Sequence, residues 1–157
     1  MSQDAAGIDL PTSLGYLLKE ASSALRTSME EALRPFGMTI THYSCLELLA
    51  QRPGLSNSEL ARGAFVTRQS MNVLLQALER DGYVERSSEP SAGKVLPTRL
   101  TPAGRRSLET ASRAVREVEL RMLGRLTEAD QADTRRILRS MIGALREPGG
   151  VGSRTAQ

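Results

Sequence analysis

Apolar residues recur along most of this chain at spacings of three and four, so most of it reads as helix. Leu14, Leu18, Ala21, Leu25 and Ala32 form one such stripe, with Leu17 and Leu33 beside it. Pro11 suits the first turn of that helix, and Pro35 with Gly37 is expected to end it. A second helix is expected from the N-cap Thr39, with Cys45, Leu46 and Leu49 turned inward, stopping at Pro53-Gly54. Ser56-Asn57-Ser58-Glu59 has the S-x-x-E spacing of a capping box and opens a short third helix bearing Leu60, Ala61 and Ala64. Thr67 is the N-cap of a fourth, where Met71, Leu74, Leu75 and Leu78 fall at i, i+3, i+4 and i+7. Asp81-Gly82 ends it.

The period then changes. Tyr83-Val84-Glu85-Arg86 alternates like a strand, residues 87–94 are rich in Ser, Gly and Pro, and residues 95–100 read as a return strand. Pro97 cannot donate to a ladder, which argues for an edge. A fifth helix opens at Thr101-Pro102 and carries a heptad-like seam of Leu108, Ala111, Val115, Val118 and Met122. A sixth follows Thr127 with Leu138, Met141, Ile142 and Leu145, and Pro148-Gly149-Gly150 ends it.

The order is α-α-α-α-β-β-α-α, a mainly α fold with a small β-hairpin wing. The third and fourth helices make a helix-turn-helix with the hairpin behind it: a winged helix-turn-helix beside a helical dimerisation domain. On this reading residues 11–36 and 101–147 form the dimerisation region and residues 37–100 the winged helix-turn-helix. Residues 1–10 and 148–157 read as disordered tails.

Composition narrows the function. No apolar run approaches the roughly 18–20 residues that span a bilayer, and the N-terminus lacks the basic start and apolar stretch of a secretory signal, so a cytoplasmic protein is expected. One cysteine, Cys45, and one histidine, His42, cannot supply the usual four ligands of a structural zinc site. With no glycine-rich phosphate loop either, neither a metal, nor a cofactor, nor catalysis is expected. Net charge is +3, and Lys19 and Lys94 are the only lysines among 21 basic residues. Residues 52–105 hold eight basic and five acidic side chains, so the basic excess sits in the proposed reading module.

A helix-turn-helix is useful because it inserts one helix into the major groove. The fourth helix keeps Arg68, Gln69, Asn72, Val73 and Gln76 on the face opposite its buried stripe, with Ser70 at the edge. Arg can bond guanine bidentately, Asn or Gln can bond adenine, and Val can touch a thymine methyl. No acidic residue occurs from Thr67 through Leu78. Backbone N–H groups near Ser56, Ser58 and Thr67 can receive phosphates, aided by the Thr67 and Ser70 hydroxyls. The wing adds Arg86 on its stem and Lys94 at its tip, where a cation can reach the minor groove or its phosphates.

The segment between Met38 and Gly104 resembles the MarR family of winged helix-turn-helix regulators. Met38-Thr39 with His42 and Leu46 is similar to that family's second-helix opening. Ser56-Asn57-Ser58-Glu59-Leu60-Ala61 is similar to its third helix. Leu78-Glu79-Arg80-Asp81-Gly82-Tyr83-Val84-Glu85-Arg86 and Leu100-Thr101-Pro102-Ala103-Gly104 resemble the stretches before and after its wing. The resemblance implies a homodimer on a pseudo-palindromic duplex operator, commonly a repressor released by a small aromatic or phenolic ligand. It implies a pocket between the dimer helices and the DNA-binding lobe, for which Tyr16, His42 and Tyr43 are candidates by position. The family's wing usually carries Asp-x-Arg; here those positions hold Ala92 and Lys94, which keeps the charge and loses the orienting carboxylate. Some relatives sense oxidants through a cysteine near the start of the first helix, and Cys45 lies elsewhere.

The competing reading is a winged-helix protein-interaction module that does not bind specific DNA. Such a module should expose aromatic or large aliphatic anchors on the fourth helix, and this one carries Arg68, Gln69, Asn72 and Gln76.

Overall fold

The computed structural model describes residues 7–86 and 97–148. The chain divides into two compact units, Met1–Glu119 and Leu120–Gln157. The first holds helices α1 (Leu14–Leu33), α2 (Ile40–Gln51), α3 (Asn57–Gly63) and α4 (Arg68–Arg80), strands β1 (Val84–Arg86) and β2 (Thr98–Leu100), and most of α5 (Pro102–Leu123). The second holds the end of α5 and helix α6 (Glu128–Arg146). The element order expected from the sequence is the one found.

The helices start where the sequence offers an acceptor for their first orphan N–H groups. Thr39, Thr67 and Thr127 each cap with the side-chain oxygen, and Ser56 and Glu59 form a reciprocal capping box at α3. The first helix departs from expectation at its start. Pro11 sits in a separate 3-10 turn, Leu10–Thr12, and α1 begins at Leu14, after Ser13, whose hydroxyl accepts the Tyr16 N–H at 3.2 Å. At the far end of the chain, Glu147 turns extended before Pro148 and stops α6 at Arg146.

The core gathers the inward faces of the winged helix with the inner ends of two flanking helices. Cys45, Leu46 and Leu49 of α2, Leu60 of α3, and Met71, Leu75 and Leu78 of α4 are buried together with Leu33 of α1 and Leu108 and Ala111 of α5. Leu74, expected in the α4 stripe, is only partly buried at its edge. Helices α1 and α5 therefore share the reading module's core. Met29 of α1 and Val115 of α5 pack against it, whereas Leu14, Leu17, Leu18 and Leu25 of α1 are exposed. In the second unit Leu120, Met122, Leu126, Ile137, Ile142 and Leu145 are exposed as well, and no residue of α6 is buried.

The wing base is a two-stranded antiparallel ladder in which Val84 faces Leu100, Glu85 faces Arg99 and Arg86 faces Thr98. Only its base lies within the described residues; Ala92 and Lys94 lie outside them. Thr98 is buried, and its carbonyl accepts the Gly54 N–H at 3.3 Å, which ties β2 to the loop after α2. Gly54 takes φ +85°, a left-handed turn glycine adopts without a Cβ clash. Among the described residues no helix is long and apolar enough to cross a membrane.

Candidate nucleic-acid interface and effector groove

Burial of Met71, Leu75 and Leu78 fixes the roll of α4, and so decides which side chains face outward. Arg68, Gln69, Ser70, Val73 and Gln76 are exposed, whereas Asn72 is half-buried at the border of the buried stripe. The expected outer face is thus present, with Asn72 at its margin. Val73 is 62% exposed, so its methyl groups are free to meet another apolar group.

The two helix N-termini differ. At α3, the Ser56 N–H donates to Glu59 Oε2 at 2.7 Å and the Glu59 N–H to Ser56 Oγ at 3.2 Å. Two of the donors expected to receive a phosphate are therefore already engaged. The Ser56 backbone N–H holds the Glu59 carboxyl below its ordinary pKa, so a negative charge occupies this end. Ser56 and Ser58 are both half-buried. At α4, Thr67 Oγ1 accepts the Ser70 N–H at 3.1 Å, and no acidic residue lies in the first turn. The α4 start is consequently the better anion site. The Thr67 hydroxyl donates to Ser70 Oγ at 3.0 Å, which leaves the Ser70 hydroxyl hydrogen directed elsewhere.

Arg86 is turned back onto the end of α4: its Nε lies 3.5 Å from Glu79 Oε2, and the side chain is half-buried. In this position it braces β1 against α4.

A groove of about 1020 Å³ opens between α1, the start of α2 and the turn joining α3 to α4. Leu25, Met29, Met38, Ile40, Ala64 and Val66 give it apolar walls, and Ser22, Thr39, Thr41 and Ser44 contribute hydroxyl groups. Arg26 and Arg34 supply cations; Arg26 pairs with Glu30 at 3.0 Å. Apolar walls with a few polar groups and a cation suit a small aromatic acid. Phe65 stands at the same groove and is 86% exposed.

None of Tyr16, His42 and Tyr43 lines this groove. Tyr16 is exposed on α1. The Tyr43 hydroxyl donates to Glu47 Oε2 at 3.3 Å and lies 3.4 Å from Ser112 Oγ, linking α2 to α5; burial pushes its pKa up. His42 faces Tyr83, ring centroids 6.1 Å apart, and its buried Nε2 has no hydrogen-bond partner among the described residues.

Burial lowers the His42 pKa from its ordinary 6.5, an effect larger than the opposing pull of the Asp81 charge. The unfolded chain takes up this proton first as pH falls. His42 thus contributes stability that is present above pH 6.5 and is lost as pH drops through the lower folded value. The expected result is a wild-type urea midpoint that falls between pH 7.5 and 5.5 by more than that of His42→Gln. Parallel curves for the two proteins would contradict this.

Cys45 is fully buried, and desolvation pushes its thiol up to about 12. A protonated thiol is neither nucleophile nor ready reductant. Native protein should therefore react with a thiol reagent only after unfolding, and dilute peroxide should leave its DNA affinity unchanged. Rapid native labelling would reverse that reading.

The MarR family model matches residues 36–94. HTH-type transcriptional repressor Rv2887 of Mycobacterium tuberculosis is 43% identical over 128 residues, covering 82% of this chain and 92% of the relative. A putative transcriptional regulatory protein for the hcr operon of Thauera aromatica is 30% identical, covering 74% of this chain and 75% of its own. Among solved structures, the M. tuberculosis protein in complex with DNA has a TM-score of 0.67 at 40% identity, covering 83% of this chain and 98% of that one. The same protein in complex with salicylic acid has a TM-score of 0.68 at 42% identity, covering 83% and 96%. Sequence identity at this level and coverage, together with the family-model match, places the chain in the MarR family.

Proposed function

We infer that the protein is a homodimeric transcriptional repressor that binds a pseudo-palindromic duplex operator and is released by a small aromatic acid. The observation that carries this reading is the outer face of α4: Arg68, Gln69, Val73 and Gln76 exposed on a helix with no acidic residue in its first turn. Two such helices, one per protomer, would enter successive major grooves about one helical turn apart. The apolar side chains left exposed on α1 and, separately, on α6 support assigning residues 11–36 and 101–147 to dimerisation, since monomers rarely leave such surface in water. Residues 37–100 are the reading module, with Lys94 as a wing contact to phosphate or minor groove. The groove beside α1 is the effector site, its Arg34 and Arg26 set to receive a carboxylate. This agrees with the one M. tuberculosis relative solved in complex with salicylic acid and with p-aminosalicylic acid. The protein works in the cytoplasm, where its DNA is.

Selection from a random duplex library tests this. A palindrome should be enriched, bound about a thousandfold or more above scrambled DNA with a steep salt dependence, and displaced by salicylate. Weak, salt-sensitive binding with no enrichment would instead favour a winged helix that serves a protein partner.

A further inference from the structure

We propose that Phe65 is the residue through which an effector in the groove acts on the reading helix. The proposal rests on the effector site inferred above. It is carried by three observations at one place. Phe65 is the most exposed large apolar side chain of the first unit, at 86%. It is the only described non-glycine residue with a positive φ, +58°. It also lines the groove, which Arg34 and the apolar residues of α1 line as well.

Each of the first two features is unfavourable alone. A left-handed backbone places the Cβ of any L-residue near its neighbouring carbonyl, and glycine or asparagine is the usual occupant. An exposed phenyl ring gains nothing from water. A glycine would fold this turn more readily; the ring, standing at the groove, is placed to meet an apolar ligand there. An aromatic acid held by Arg34 would offer the ring an apolar surface against which to bury itself.

The consequence for DNA follows from the chain path. Phe65 N–H donates to Arg62 O at 3.3 Å, and Val66 N–H to Ala61 O at 3.0 Å, so the turn hangs from the end of α3. Two residues on, Thr67 caps α4, with Arg68 directly after it. A ring drawn into the groove would pull on the turn that sets the angle between α3 and α4. The α4 N-terminus would move relative to its partner helix on the dyad, and two helices with altered spacing no longer fit successive grooves together. The effector then releases DNA because it binds the pulled-in arrangement better than the operator-bound one.

The experiment uses the full-length protein, the duplex enriched by selection, and salicylate as the probe. Phe65→Gly keeps a residue suited to the left-handed turn and removes the ring; Phe65→Tyr keeps the ring. Without salicylate all three proteins should bind the operator within about threefold of one another. With salicylate, wild type and Phe65→Tyr should release it together, and Phe65→Gly should need at least ten times more. Isothermal titration without DNA should show Phe65→Gly binding salicylate more weakly. A wild-type response in Phe65→Gly overturns the proposal while leaving the effector site intact. Loss of operator affinity in Phe65→Gly without salicylate also overturns it, and reassigns the ring to DNA contact. If wild type itself ignores salicylate in both assays, the aromatic-acid reading of the groove fails and this inference with it.

Discussion

Gly104→Ala is expected to lower the melting temperature by roughly 5–10 °C at fixed protein concentration, the largest effect of a methyl added at any described glycine. Gly104 is buried near the start of α5. A Cβ there would run into the carbonyl oxygen of Tyr83, with the Tyr83 carbonyl carbon 3.0 Å away and its Cα at 3.3 Å. That carbonyl cannot swing aside cheaply, because it accepts the Thr101 N–H at 3.1 Å. Thr101 in turn donates its hydroxyl to Gly82 O and accepts the Gly104 N–H at 3.1 Å. The obstacle is backbone held on both sides, so the cost should reach the top of the about 1–3 kcal/mol range for overpacking, or pass it. Gly63→Ala is the instructive contrast. Its Cβ would come within 2.8 Å of Leu48 Cδ1, the movable tip of a side chain, and about 1 kcal/mol or less is expected. Thermal melts of the two variants against wild type decide the matter: equal losses would mean that the Tyr83 carbonyl yields as easily as Leu48.

The same glycine shows what a sequence can and cannot disclose. Leu100-Thr101-Pro102-Ala103-Gly104 is legible as a helix opening, because capping and first-turn preferences are local. Why position 104 should lack a side chain is not legible, since the Tyr83 carbonyl that forbids one arrives from the other side of the wing. The α4 stripe behaves likewise. Its period fixes which face is buried, hence which side chains face out, while the partial burial of Leu74 and Asn72 depends on how the neighbouring elements pack.

The groove was the least legible part. Its walls come from α1, α2 and the turn after α3, and residues such as Leu25 and Ala64 look like ordinary core positions in sequence. Tyr16, His42 and Tyr43 were candidates by position, whereas Tyr43 bonds to Glu47 and His42 faces Tyr83. Phe65 lay hidden in Gly63-Ala64-Phe65-Val66, an apolar run that reads as buried. The available signal was its place: two residues before an N-cap, where a helix-turn-helix needs a left-handed residue and glycine is the usual choice.

Arg68→Ala and Gln76→Ala together should lower affinity for the selected operator by at least a hundredfold while changing affinity for scrambled DNA only a few-fold. Both side chains are exposed on the outward face of α4. They are eight residues apart, or about 12 Å along the helix, far enough for their effects to add. A bidentate contact to a base is worth about 1–3 kcal/mol, and a dimer on a symmetric site loses it twice. Non-specific binding depends instead on the number of phosphates neutralised, to which Gln76 contributes no charge and Arg68 one per protomer. The charge and the fork of Arg68 can be separated. Arg68→Lys keeps the charge and loses the planar pair of donors, so it should bind scrambled DNA like wild type and still lose discrimination. Affinities on operator and scrambled duplexes at several salt concentrations give both quantities at once. The salt slope should stay put for Gln76→Ala and Arg68→Lys, and flatten only for Arg68→Ala. Losses of equal size on both duplexes would show that α4 holds the phosphate backbone without reading bases, and sequence preference would then have to come from the wing or from the shape of the DNA.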